Sequence, residues 1–247
     1  MGLSAEARWA KADRCEYNIR IVLVLALDTT TRGGSAAVAR DGHVVAEHAG
    51  DPGLTHGQRL PRELMVVLER AGVTLDDIDL FAVAAGPGSF TGLRVGIATM
   101  QGLAMAGDHR VVPVSALEAL ARAAHARTNV FAWMDAQRGE VFAALYDPSG
   151  RLLAEPSSLA PEETLLAWQS TQSEPTVFIG DGAVRYQDII TRHPSATVMS
   201  DVPLLAGVIG VIACENPSRA VLPHAVVPIY IRRPDAELAR AKKHGRA

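Results

Sequence analysis

Ile21-Val-Leu-Val-Leu-Ala-Leu-Asp-Thr-Thr-Thr-Arg-Gly-Gly34 is the first stretch of the chain with a clear pattern. Its seven aliphatic residues read as a strand covered on both faces, and Asp28 to Gly34 ends it in a turn. Working outward, Ser35 to Ala39 and Val44 to Glu47 flank Asp41-Gly42, a hairpin signal. Helical spacing follows over Gly57 to Ala71, stopped by Gly72. Leu80 to Ala85 is a second buried strand, and Gly86-Pro-Gly-Ser-Phe-Thr-Gly92 turns into a helix reaching about Ala106. Val111 to Val114 is a short strand. Ser115 then caps a helix from Ala116 to about Arg127, with Glu118 completing a capping box.

The second half repeats this order. Asn129 to Met134 ends in Asp135-Ala-Gln-Arg-Gly139, and Glu140 to Tyr146 pairs with Leu152 to Glu155 around Asp147-Pro-Ser-Gly150. Helix Glu162 to Gln169, strand Thr176 to Ile179, helix Val184 to Arg192, strand Thr197 to Ser200 and helix Leu204 to Glu215 complete the unit. Asp28-Thr-Thr-Thr-Arg-Gly33 aligns with Asp135 to Gly139, and Gly86-Pro-Gly88 with Gly180-Asp-Gly182. The pattern predicts two α/β halves with mixed sheets facing across a cleft, each first strand ending in Asp. That is the plan of actin, sugar kinases and chaperone ATPases. The lobes are expected at 21–114 and 115–231, the second including a crossover helix. An N-terminal extension (1–20) and a basic tail (232–247) flank them.

The 247 residues suit one large domain or two small ones. Apolar residues make up 48% and charged residues 21%, which excludes a disordered or fibrous chain. A net charge of −3 argues against a protein that grips nucleic acid over its whole surface. Arg232 to Arg246 is the exception, a local +4 that could touch a phosphate backbone. Cys15 and Cys214 have no metal or disulfide spacing, which points to a reducing cytosol. The seven-residue run at Ile21 is far below the ~20 needed to cross a membrane.

Candidate chemistry is sparse. Asp28 or Asp135 could hold Mg²⁺ or a water beside a phosphate, with Thr29, Gly86, Gly88 and Ser89 as further nucleotide or anion contacts. However, Thr30 stands where nucleotide users of this plan usually carry a glycine. Asp28 then reads as a turn former. Gly86 to Gly92 fits neither a Walker A loop nor a nucleophile elbow; it fits a tight turn capped by Ser89 or Thr91. His56 lacks the partner of a His-x-x-x-His pair, since Leu60 lies four residues on, so no metal site is expected.

Two helices stand out. Gly92, Gly96 and Gly102 cost an isolated helix about 1 kcal/mol each against alanine, so close packing must compensate. In the helix before it, Pro61, Leu64, Met65, Val66, Val67 and Leu68 leave little polar face. Such helices suggest one face on the sheet and another on a second protein.

Ala26-Leu-Asp-Thr-Thr-Thr31, Thr55-His56 with Leu60-Pro61, and Ala85-Gly-Pro-Gly-Ser-Phe-Thr-Gly-Leu-Arg-Val-Gly96 resemble the TsaB (YeaZ) family of bacterial tRNA-modification proteins. Met134-Asp-Ala-Gln-Arg-Gly-Glu-Val-Phe142, Gly180-Asp-Gly182 and Pro228-Ile-Tyr-Ile-Arg232 extend the resemblance over residues 21 to 232. It implies a duplicated actin-like ATPase fold (ASKHA, ribonuclease H-like) with mixed five-stranded sheets. It also implies a non-catalytic scaffold that dimerises with the catalytic subunit TsaD. With TsaD and the ATPase TsaE, that family helps place threonylcarbamoyl on the adenosine beside the anticodon of tRNAs reading codons that start with A. The implied contact residues are His56, Leu60, Pro61, Leu64, Leu68, Leu93, Arg94, Ile97 and Met100, meeting TsaD or a second copy. No cofactor is required, ATP or ADP enters only at the complex interface, tRNA is reached through the complex, and the location is cytoplasmic. The alternative is an enzyme of the same fold, an ATP-dependent transferase or a metallopeptidase.

Overall fold

The computed structural model describes residues 22–167 and 174–232; the expected N-terminal extension and all but the first residue of the basic tail lie outside them. In the first half, β1 (Leu23–Asp28), β2 (Ser35–Arg40) and β3 (His43–Ala49) form an antiparallel meander. Asp41 and Gly42 are both left-handed (φ 51° and 79°), the geometry a two-residue hairpin needs to match strand twist. α1 (His56–Ala71) ends on Gly72 at φ 66°, whose amide donates to the last carbonyls. β4 (Leu80–Gly86), α2 (Phe90–Ala106), β5 (Val111–Ser115) and α3 (Ala116–Ala123) follow, with β4 and β5 parallel to β1.

The second half supplies β6 (Asn129–Asp135), β7 (Val141–Tyr146), β8 (Leu152–Leu159), α4 (Pro161–Ala167), β9 (Thr176–Ile179), α5 (Asp181–Arg185), α6 (Gln187–Ile190), β10 (Ala196–Val198) and α7 (Ala206–Glu215). The sheets run β3-β2-β1-β4-β5 and β8-β7-β6-β9-β10, with the same pattern of parallel and antiparallel neighbours. The duplication is therefore real at the level of strand order. The architecture is the duplicated actin-like ATPase fold.

Each half gives its last helix to the other. α3 lies on β6 and β7, whereas α7 lies on β1, β2 and β3, and the two helices touch. One apolar cluster joins Val24, Ala82 and Val112 of the first sheet to Val130 and Ala144 of the second through Leu117, Leu120, Ile209 and Ile212. The expected second lobe, 115–231, thus contains a helix that packs in the first lobe. Ser35 Oγ accepts from Ala206 N (3.0 Å) and Glu47 Oε1 from Gly207 N (2.7 Å), so first-lobe side chains cap α7. Outside the sheets, α1 and α2 cover Leu25, Leu27 and Phe81, while α4 to α6 cover Phe131, Trp133 and Phe178.

Several boundaries differ from the sequence reading, each for a local reason. α3 stops at Ala123 because the chain turns through His125 at φ 46°. Ser115 does cap it, accepting from Glu118 N (3.4 Å), but the Glu118 carboxylate pairs with Arg219 (2.7 and 2.9 Å) and closes no capping box. The helix expected at 184–192 is two short ones broken at Tyr186, and it starts at Asp181 because Gly182 packs on the Met134–Asp135 backbone. β8 runs on to Leu159 past Pro156, which an edge strand tolerates beside its register shift.

Candidate functional site

The start of α2 is pressed against the loop after β1. Ser89 N donates to Thr30 O (2.8 Å), and Ser89 Oγ caps α2 by accepting from Gly92 N (3.3 Å). Thr29 Oγ1 donates to Gly92 O (2.8 Å). A Cβ on Gly92 or Gly96 would lie 2.1 Å from Thr29 atoms, and one on Gly88 2.5 Å from Thr30 Cβ. Those glycines of α2 therefore serve its own lobe. Gly102 differs, since a Cβ there meets nothing.

Asp28 is the turn former. Its buried Oδ1 accepts from Thr30 N (2.8 Å) and Thr30 Oγ1 (2.6 Å). Burial pushes the carboxyl above its ordinary range, against the opposing pull of the Thr30 bonds and the Arg59 charge. Of the six residues considered for an anion, Gly88, Ser89 and Asp135 line the interlobe cleft of about 1180 Å³. Asp28, Thr29 and Gly86 do not: the first two are sealed beneath Thr30 and α2, and Gly86 lies under the Ile229 carbonyl. Asp135 accepts from Gln137 Nε2 (2.9 Å) and Arg185 Nη1 (2.7 Å), a turn held like that of its first-half counterpart.

At the start of α1, Arg59 lies 2.5 Å from His56 Nδ1 and pairs with Glu63, both Arg59 and Glu63 being buried. Burial, then the guanidinium, pushes His56 below its ordinary pKa, with Glu63 opposing. A fixed positive charge at Nδ1 and an apolar Leu60 one turn on make this a poor cation site. Among the described residues no group of three or more His, Cys, Asp or Glu is placed to hold a metal ion. The buried pair escaped the sequence reading, although the i,i+4 spacing of Arg59 and Glu63 was its visible signal.

Leu60, Leu64, Leu68, Leu93, Ile97 and Met100, expected at a partner contact, are buried in the lobe itself. The physical reason is that sheet one needs a cover, and the largest aliphatics of both helices supply it. His56 is half-buried at the cleft, and only Pro61 and Arg94 of the nine stand exposed. The outward stripes are instead Pro61, Arg62, Met65 and Glu69 on α1 and Phe90, Arg94, Ala98, Gly102 and Met105 on α2. Met65 is 68% and Met105 66% exposed, large apolar side chains left in water. Arg94 lies 3.8 Å over the Phe90 ring.

Known proteins now bear on this arrangement. A family model described as TsaD: tRNA N6-adenosine threonylcarbamoyltransferase matches residues 39–198. The tRNA threonylcarbamoyladenosine biosynthesis protein TsaB of Escherichia coli (strain K12) is 34% identical over 221 residues, 85% of this chain and 94% of the relative. The chain belongs to the TsaB (YeaZ) family. The Bacillus subtilis (strain 168) TsaB is 28% identical, over 87% of this chain and 96% of its own. Among solved structures, YeaZ from Pseudomonas aeruginosa superposes with a TM-score of 0.73 at 31% identity, over 85% of this chain and 99% of that one. In this chain Thr30, Asp28 and the Gly86–Gly88 turn hold each other in place.

Proposed function

We propose that this chain serves tRNA threonylcarbamoyladenosine biosynthesis as a non-catalytic docking subunit. Its outward α1–α2 face receives TsaD, and a second copy of the chain when TsaD is absent. TsaE joins the complex, tRNA is reached through it, and ATP or ADP enters only at its interface; the chain itself needs no cofactor. The setting is the cytoplasm; no described helix is long and apolar enough to cross a membrane.

The observation that carries this reading is the uncovered stripe of Met65, Ala98, Gly102 and Met105 beside strand-end aspartates already engaged in their own turns. Small residues at 98 and 102 let a partner's helix approach closely, and the methionines supply adaptable apolar contact. An enzymatic reading has the cleft in its favour, yet the carboxylate of Asp28 does not reach that cleft.

Size-exclusion chromatography with light scattering tests the reading. Met65→Arg should abolish the complex with TsaD at concentrations where the native chain is fully bound, because an unpaired charge buried in an apolar contact costs about 2–4 kcal/mol. An unchanged complex overturns the chosen face.

A further inference from the structure

The segment after the last helix does more than end the chain. Gln101 Nε2 donates to Pro223 O (2.8 Å) and Val226 O (3.3 Å), laying this segment along α2. Ile229 N then donates to Ala85 O (2.7 Å) at the end of β4. Tyr230 accepts from Arg94 Nε (3.3 Å), and its ring lies 5.5 Å from Phe90, the ring that Arg94 covers. Two residues later the contacts are with the other lobe. Arg232 donates to Glu140 Oε2 (2.9 Å) and to Ala136 O (3.1 Å), and its guanidinium stands 5.9 Å from the Phe142 ring.

We propose that residues 228–232 are a coupling strap. They tie the outward face of α2 to the loop 136–140 on the far wall of the cleft, so that a partner seated on α2 also steadies the second lobe. Three features support this. The lobes share a core through α3 and α7 against which Ile231 also packs, and Ile229, Tyr230, Ile231 and Arg232 line the cleft beside it. The loop carries two non-glycine residues in left-handed backbone, Gln137 (φ 61°) and Arg138 (φ 58°), which persist only where surroundings over-determine them. Arg232 grips that loop at two points, and Ser158 Oγ holds the same Glu140 carboxylate (2.7 Å). The partner-facing side chains Phe90 and Arg94 hold Tyr230, so pressure on the face and hold on the loop meet in four consecutive residues.

The biological role rests on the docking reading, but the tie is intramolecular and is tested in the full chain alone by hydrogen exchange. Arg94→Ala lies in the first lobe and touches nothing in the loop, yet it should speed exchange at the Ala136 and Glu140 amides roughly threefold or more. Arg232→Ala should do so at least as strongly, and the double variant no more than Arg232→Ala by itself, since both cut one connection. Loop exchange unchanged by Arg94→Ala, or a double variant equal to the product of the singles, overturns the strap. Failure of the docking reading appears elsewhere, as undiminished association of Met65→Arg.

Discussion

The two halves share a sheet and differ in its cover. In the first, helices of 16 and 17 residues lie over the sheet; in the second, the same positions hold helices of 7, 5 and 4 residues among the described residues. Both covers bury large aliphatic and aromatic groups, but the longer pair also leaves Met65, Ala98, Gly102 and Met105 exposed, where the second cover exposes Leu166. Duplication has kept what strand pairing requires and changed what a neighbour can reach. The outer helical layer of the first half is therefore the part free to specialise for another protein.

The largest effect expected from breaking this contrast lies under the long helices. Glu63→Ala strands the Arg59 guanidinium in the core, and an uncompensated buried charge costs about 3–5 kcal/mol, read as a loss of unfolding free energy in urea. The double replacement Arg59→Met with Glu63→Leu should cost clearly less than the sum of the singles, because neither charge is left behind. No counterpart of that pair is found among the described residues of the second half's outer layer.

Next in size is a matched comparison between the covers. Met65 on α1 and Leu166 on α4 are almost equally exposed, 68% and 67%. As isolated chains, Met65→Arg and Leu166→Arg should each unfold within about 0.5 kcal/mol of the native protein, since both alter water-facing positions. In association they should part: the first loses about 2–4 kcal/mol of binding and the second nothing measurable. Equal losses in titration calorimetry would show that exposure, and not the first-half face, sets the interface.

Much of this was legible from residues. Asp41-Gly42, Gly72 and the apolar runs before Asp28 and Asp135 fix turns and buried strands by local chemistry, and the apolar runs and the hairpins after them recur at matching places in both halves. A crossover helix in the second lobe was expected, but the seat of α7 on the first sheet was not legible, because an apolar stripe states that a helix needs a sheet without naming which one. The proposed docking face was half legible. That α1 and α2 carry more apolar surface than one stripe was evident, but assigning Leu60, Leu64 and Met100 outward ignored that the sheet takes the largest aliphatics first. Arg59 and Glu63 went unnoticed because they sit among leucines on a helix that otherwise obeys its period.

The smallest effects separate the two strand-end aspartates, which occupy equivalent places in different surroundings. Asp28→Ala leaves the Thr30 amide and hydroxyl without their acceptor inside the lobe, a loss of about 1–3 kcal/mol. Asp135→Ala removes a carboxylate whose ion-pair partner, Arg185, is more than half exposed, and should cost no more than about 1 kcal/mol. Titration sharpens the difference. Burial raises the Asp28 pKa in the folded state, so folding holds its proton to higher pH than the unfolded chain does. Native stability therefore falls as pH rises from about 3.9, the unfolded value, through the raised folded one. Asp28→Asn keeps an acceptor for Thr30 and has no proton to lose, so the stability difference between it and the native chain should shift in its favour across that window. A difference that stays flat with pH would mean that the Asp28 carboxyl is solvated, open to the cleft as Asp135 is.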